Sequence, residues 1–131
     1  MPPVLVAAAV VRREGRILLT RRMKGAHLEG YWEFPGGKVE DGESPEAALV
    51  RECREECAIE IEIVDILDVA FHRYPTKDVL LLFYECRIAS GEVQNVGVAE
   101  HAWCAPAELG RYEMPPPDAG VIRKLERSAR A

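Results

Sequence analysis

Apolar residues run almost unbroken over 4–11, a length suited to a buried strand and too short to cross a bilayer. A turn follows at Arg13-Glu14-Gly15-Arg16. Ile17-Leu18-Leu19-Thr20 then resumes the pattern, so the two segments are expected to pair as a hairpin. Residues 23–30 read as a loop. Tyr31-Trp32-Glu33-Phe34 is short and aromatic, and Pro35-Gly36-Gly37 predicts a hard break after it. Ser44 is a good N-cap, Pro45 suits the first helical position, and Glu43 and Glu46 favour the positive end of a helix. A helix is therefore expected from Pro45 to about Cys57. Strand-like segments follow over 59–69, 79–88 and around Ala102-Trp103-Cys104. A last amphipathic segment carries Val121, Ile122 and Leu125 on one side, with Asp118 placed to cap it. Strands on both sides of a long helix, with a second helix at the end, predict an α/β fold with a mixed sheet between helices.

At 131 residues the chain suits one domain, 1–131, with one real core. The net charge of −5 argues against a broad basic surface for duplex nucleic acid, though a phosphate ligand needs only a few local cations. Cys53, Cys57, Cys86 and Cys104 form no C-x₂-C pair and read as reduced, buried small residues. No basic residue precedes the first apolar run, so no signal peptide is expected and the cytoplasm is the expected location.

The chemistry concentrates in Arg51-Glu52-Cys53-Arg54-Glu55-Glu56. On a helix, Glu52, Glu55 and Glu56 share an arc of roughly 100° and repel one another. A solvated acidic face would lie opposite the apolar stripe. This arc instead adjoins the stripe of Leu49, Val50, Cys53 and Cys57, with small Ala48 leaving space one turn earlier. A divalent cation would turn the repulsion into ligation, and hard oxygen ligands suit Mg²⁺ or Mn²⁺. Before the helix, Gly36-Gly37 lets backbone approach a ligand and Lys38 offers a cation for phosphate.

Gly37, five residues, Glu43, seven residues, then Arg51-Glu52-Cys53-Arg54-Glu55-Glu56-Cys57-Ala58-Ile59 resembles the Nudix box. Two positions depart: Cys53 replaces an aliphatic residue and Ala58 replaces a glycine, where a positive φ would strain the helix end. Thr20-Arg21-Arg22, Trp32 to Lys38, Trp103, Pro106 to Leu109 and Pro115 to Asp118 extend the likeness to the MutT-like branch of the Nudix hydrolases.

The resemblance implies an α/β/α sandwich and a Mg²⁺-dependent nucleoside triphosphate pyrophosphohydrolase that releases monophosphate and pyrophosphate. An oxidised nucleotide such as 8-oxo-dGTP is the first expected substrate. CTP, dCTP or a modified cytidine triphosphate is the alternative, and a non-catalytic nucleotide-binding module the third. It further implies that Glu52, Glu55 and Glu56 ligate the metal with the Gly36 carbonyl, with Glu52 the favoured general base. Arg51 and Glu43 would hold these acids, and Arg22 and Lys38 would contact phosphate. Asp118 has two readings, helix cap or contact to the base, with Phe34 bordering the base. The branch often carries a further glutamate where this chain has Gly97, and Glu100 is the nearest acid. Expected partners are the nucleotide alone, with no membrane, in a monomer or homodimer.

Overall fold

The computed structural model describes residues 2–130. The leading apolar run becomes β1 (Val4–Arg13), which turns into β2 (Arg16–Arg21). Glu14 and Gly15 make the turn with φ of 51° and 77°. Two successive positive φ values suit the twist of a tight hairpin, which pairs Arg12 with Ile17 and Arg13 with Arg16.

β1 lies inside a seven-stranded mixed sheet. It runs parallel to β6 (Asp78–Ser90) and antiparallel to β2 and to β4 (Gly36–Lys38). β5 (Glu60–Arg73) closes one edge against β6. β3 (Trp32–Glu33) and β7 (Glu100–Cys104) pair with β2. β3 stops before Pro35 as expected, but Gly36 and Gly37, expected in the break, belong to β4. Gly36 pairs with Ala8, where a Cβ would stand 2.1 Å from the Ala7 carbonyl oxygen. Bare backbone lets this segment lie against β1 as a strand. β5 and β6 both run past the expected ends, because bulges near Ile61, Asp65 and Asp68 interrupt the two-residue period of β5.

Alternation along β1 sorts the core into two halves. Ala7, Ala9 and Val11, with Leu18, face helix α1 (Pro45–Cys57) and its Leu49, Cys53 and Cys57. Ala8 and Val10, with Ile17 and Leu19, face the other side. There helix α2 (Ala119–Arg130) packs Val121 and Leu125 among Phe34, Phe83 and Leu109. The sheet therefore lies between two helices.

α1 begins as its sequence predicts, with the Ser44 hydroxyl accepting from the Ala47 N–H at 3.1 Å. It ends at Ala58 in the left-handed conformation, φ 58°, with its N–H bonded to the Arg54 carbonyl. Ala48 is fully buried in packing. All four cysteines are free and buried. Among the described residues no helix is long and apolar enough to cross a membrane.

Candidate active site

A cavity of about 500 Å³ opens where β1, β4, α1 and the loop after β2 meet. Its wall includes Gly36, Gly37 and Lys38 from β4, Glu52 and Glu56 from α1, and Arg22, Glu33, Phe34, Tyr74 and Asp118 from elsewhere.

Glu52, Glu55 and Glu56 of α1 sit at graded depths. Glu56 is deepest: burial pushes its carboxyl up to about 9, and hydrogen bonding and repulsion from Glu52 add to this, as does the charge of Glu33. The Gly36 N–H, donating to Glu56 Oε1 at 3.4 Å, is the opposing influence. Metal-free protein thus favours the protonated form of Glu56 at neutral pH. Glu52 lies against Gly37, where a Cβ would stand 2.6 Å from the Glu52 carboxyl carbon, so only glycine permits the approach. Glu55 points outward with 59% of its side chain exposed.

Arg51 joins these acids. It donates to both oxygens of Glu43 at 2.8 and 3.0 Å, to Glu52 at 2.8 Å, to Glu55 at 3.3 Å and to the Lys38 carbonyl at 3.2 Å. The paired contact is the geometry a guanidinium offers and an ammonium does not. Arg51 and then the Glu40 N–H hold Glu43 down to about 2, and the acids in turn raise Arg51.

A carboxyl pair beside glycine backbone is a hard-oxygen donor set, and a divalent cation would displace the proton from Glu56. Among the described residues no three His, Cys, Asp or Glu side chains converge as a ready metal cage. Glu52 and Glu56 do adjoin, with the Gly36 peptide alongside, whereas Glu55 is drawn off to Arg51. The donor chemistry fits such an ion with Glu55 at the rim.

Arg22 and Lys38 both line the cavity. Arg22 pairs with Glu33, and Lys38 is exposed. Gly97 also lines it, with its N–H bonded to the Glu56 carbonyl at 3.0 Å. Glu100 is not in the wall; it pairs with Arg21 at 3.1 Å.

Asp118 is 4% exposed, in a short 3₁₀ turn (Pro116–Asp118) before α2. Burial, and then the charge of Glu33, push it up to about 7. A capping carboxylate would be held low by backbone N–H groups. Among the described residues no backbone N–H is seen donating to the Asp118 carboxyl, and Asp118 lines the cavity. Phe34 is 3% exposed and meets Phe83 edge-on at 6.0 Å, a core residue whose ring also floors the cavity. Tyr74 stands beside it in the wall, in edge contact with His27 and His72. His101 bonds Asn95 away from the cavity.

Sequence reasoning passed over Glu33. Its side chain is only 23% exposed and bonds Arg22. The available signal was a charge between aromatic residues Trp32 and Phe34 on a short strand, a position that needs a partner once the strand is buried.

A family model described as the NUDIX domain matches residues 1–125. The chain is 33% identical to an 8-oxo-dGTP diphosphatase of Escherichia coli (strain K12), over 97% of this chain and 99% of that protein. It is 36% identical to a CTP pyrophosphohydrolase of the same organism, over 93% of this chain and 90% of that one. A crystal structure of MutT protein from Methanosarcina mazei Go1 is similar with a TM-score of 0.87 at 25% identity, covering 99% of this chain and 97% of that one.

Proposed function

This chain belongs to the Nudix family and is a MutT-like pyrophosphohydrolase, and on that premise we propose that it converts 8-oxo-dGTP to its monophosphate and pyrophosphate with Mg²⁺ as its metal. One observation carries the reading: the carboxyl pair Glu52–Glu56 and the lone acid Asp118 line one cavity of about 500 Å³, a size suited to a small ligand.

In this reading Glu52, Glu56 and the Gly36 carbonyl hold the ion, with Glu55 completing the set from the rim. When bound, a divalent ion neutralises phosphate charge and acidifies coordinated water. Mn²⁺ suits the same oxygens. Glu52 takes the proton of the attacking water; its neighbours Arg51 and Glu43 keep it oriented. Arg22 and Lys38 neutralise the phosphates. Asp118 accepts hydrogen bonds from the base, beside Phe34.

A second substrate is favoured by one specific feature. An ionised aspartate only accepts, so it serves the cytosine amino group as well as the donors of an oxidised guanine. CTP or dCTP is therefore the competing substrate. Release of pyrophosphate from a panel of nucleoside triphosphates, with and without Mg²⁺, decides between them. The reading expects the highest kcat/KM with 8-oxo-dGTP, and a higher value for CTP or dCTP would overturn it. In ¹⁸O water the label should enter pyrophosphate, from attack at the β-phosphorus; label in the monophosphate would reject that step.

A further inference from the structure

Arg22 has donors on three nitrogens, and two of the three are already held. Nη1 reaches both carboxylate oxygens of Glu33 at 3.0 Å each, and Nε donates to the His27 carbonyl. Nη2 has no partner among the described residues, and Arg22 forms part of the cavity wall. The pair of anchors thus selects which edge of the guanidinium remains for a ligand.

Glu33 is itself firmly placed. Its backbone pairs with Thr20 across β2 and β3, and its carbonyl accepts from the buried Thr20 hydroxyl at 3.5 Å. Only the side chain is free to respond to the cavity. Burial raises its carboxyl while Arg22 lowers it, with Glu52 adding to the rise. Glu33 also acts on Asp118 and Glu56 through its charge, so it stands between the two functional parts of the wall.

Arg22 and Glu33 are both only partly buried, and an ion pair in that setting contributes little net stability. Stability alone therefore gives no reason for this pair in the wall of a ligand cavity. Resting on the triphosphate reading above, we propose that Glu33 is a positioning residue: it orients Arg22 so that the Nη2 edge meets the phosphates, and through Arg22 and His27 it ties down the loop after β2.

The test uses Glu33→Gln, Glu33→Asp, Arg22→Lys and the Glu33→Gln/Arg22→Lys double variant in the full chain. Glutamine keeps the size and loses the charge that holds both Nη1 contacts. KM should rise about tenfold in Glu33→Gln, with kcat changing much less, as expected for loss of a charge-assisted contact. Glu33→Asp, which keeps the charge at shorter reach, should recover part of the loss. Arg22→Lys should add little on top of Glu33→Gln, because both remove one arrangement. In nucleotide-free protein the Arg22 Nε–H signal in ¹⁵N NMR should be sharp in wild type and exchange-broadened in Glu33→Gln. Binding of inorganic triphosphate, followed by calorimetry, should weaken in parallel. A folded Glu33→Gln protein with unchanged KM, an unchanged Arg22 signal or fully additive effects would overturn the proposal. A wild type that hydrolyses no triphosphate would instead overturn the functional reading, and the NMR signal would still decide the anchor.

Discussion

The two parts of the cavity wall proposed for catalysis and for base recognition are built in opposite ways. On α1 the charges are cross-linked: Arg51 alone contacts Glu43, Glu52, Glu55 and the Lys38 carbonyl. At Asp118 a single buried acid lines the wall, and the charge of Glu33 acts on it. The first arrangement suits chemistry, where ligand atoms must hold position under strong repulsion. The second suits selection, where one group presented to the base decides between donors and acceptors. Substitutions should therefore abolish rate at the first part and redirect preference at the second.

The largest test of that contrast is Glu56→Gln. Turnover should fall about 10³-fold, within the range for loss of a group acting at the reacting centre. The metal-free protein should become more stable at the same time. Glu56 titrates at about 9 when folded against an ordinary 4.5, so its contribution is full below the unfolded value and is lost as pH rises through 9. Thermal melts of wild type and variant should thus diverge progressively between about pH 5 and pH 9. Parallel curves would show that Glu56 is not the buried acid of the pair.

Next in size is Arg51→Lys. An ammonium cannot make the paired contact to Glu43 while reaching Glu52 and Glu55, so kcat should fall about 10- to 100-fold with the chain still folded. Titration of Mg²⁺ followed by activity should show weaker apparent binding. Unchanged Mg²⁺ dependence would break the claim that cross-linking positions the acids.

Asp118→Asn should leave turnover within about tenfold for the better substrate but shift the kcat/KM ratio between 8-oxo-dGTP and CTP. Asp118 titrates at about 7, so below that value the wild type can donate a hydrogen bond and above it can only accept. The wild-type ratio should accordingly change across neutrality, whereas the asparagine variant's should not change for this reason. A ratio untouched by both the substitution and pH would remove Asp118 from base recognition.

The smallest expected effect lies outside the cavity. Ala58 holds φ 58° at the C-terminus of α1, where an alanine is strained. Ala58→Gly should raise stability by about 0.5–1 kcal/mol, the relief of strain less the added freedom of glycine in the unfolded chain. Denaturant midpoints would register it, with kinetic constants unchanged.

The same contrast explains what could be read from the chain before folding. Glu52, Glu55 and Glu56 declare themselves because one helix fixes their spacing, and Ser44 and Pro45 mark where that helix starts. The part proposed for base recognition draws on Phe34, Tyr74 and Asp118, three distant segments whose meeting no local period announces. Glu33 was hidden for the same reason, since its partner Arg22 lies across a loop. Helical spacing places Glu55 on the shared arc, while its side chain reaches outward to Arg51. The strand at Gly36 depends on the small Ala7 and Ala8 of β1, a tertiary condition that glycine's turn preference outweighed in the reading.

The parallel ladder at the centre of the sheet has a kinetic consequence. Val4 pairs with Val79 and Val11 with Cys86, so α1 and β4 both lie on the stretch of chain that this pairing must enclose. Loop closure costs entropy before a distant ladder can repay it, so refolding should be slow for a chain of this size. Meanwhile β5 is exposed as an edge strand carrying Ile66, Val69 and Phe71, each about half exposed even when folded. Its bulges interrupt a flat edge that another chain could extend. The irregularities that hid the full length of β5 in the sequence thus also break up an edge that another chain could otherwise extend.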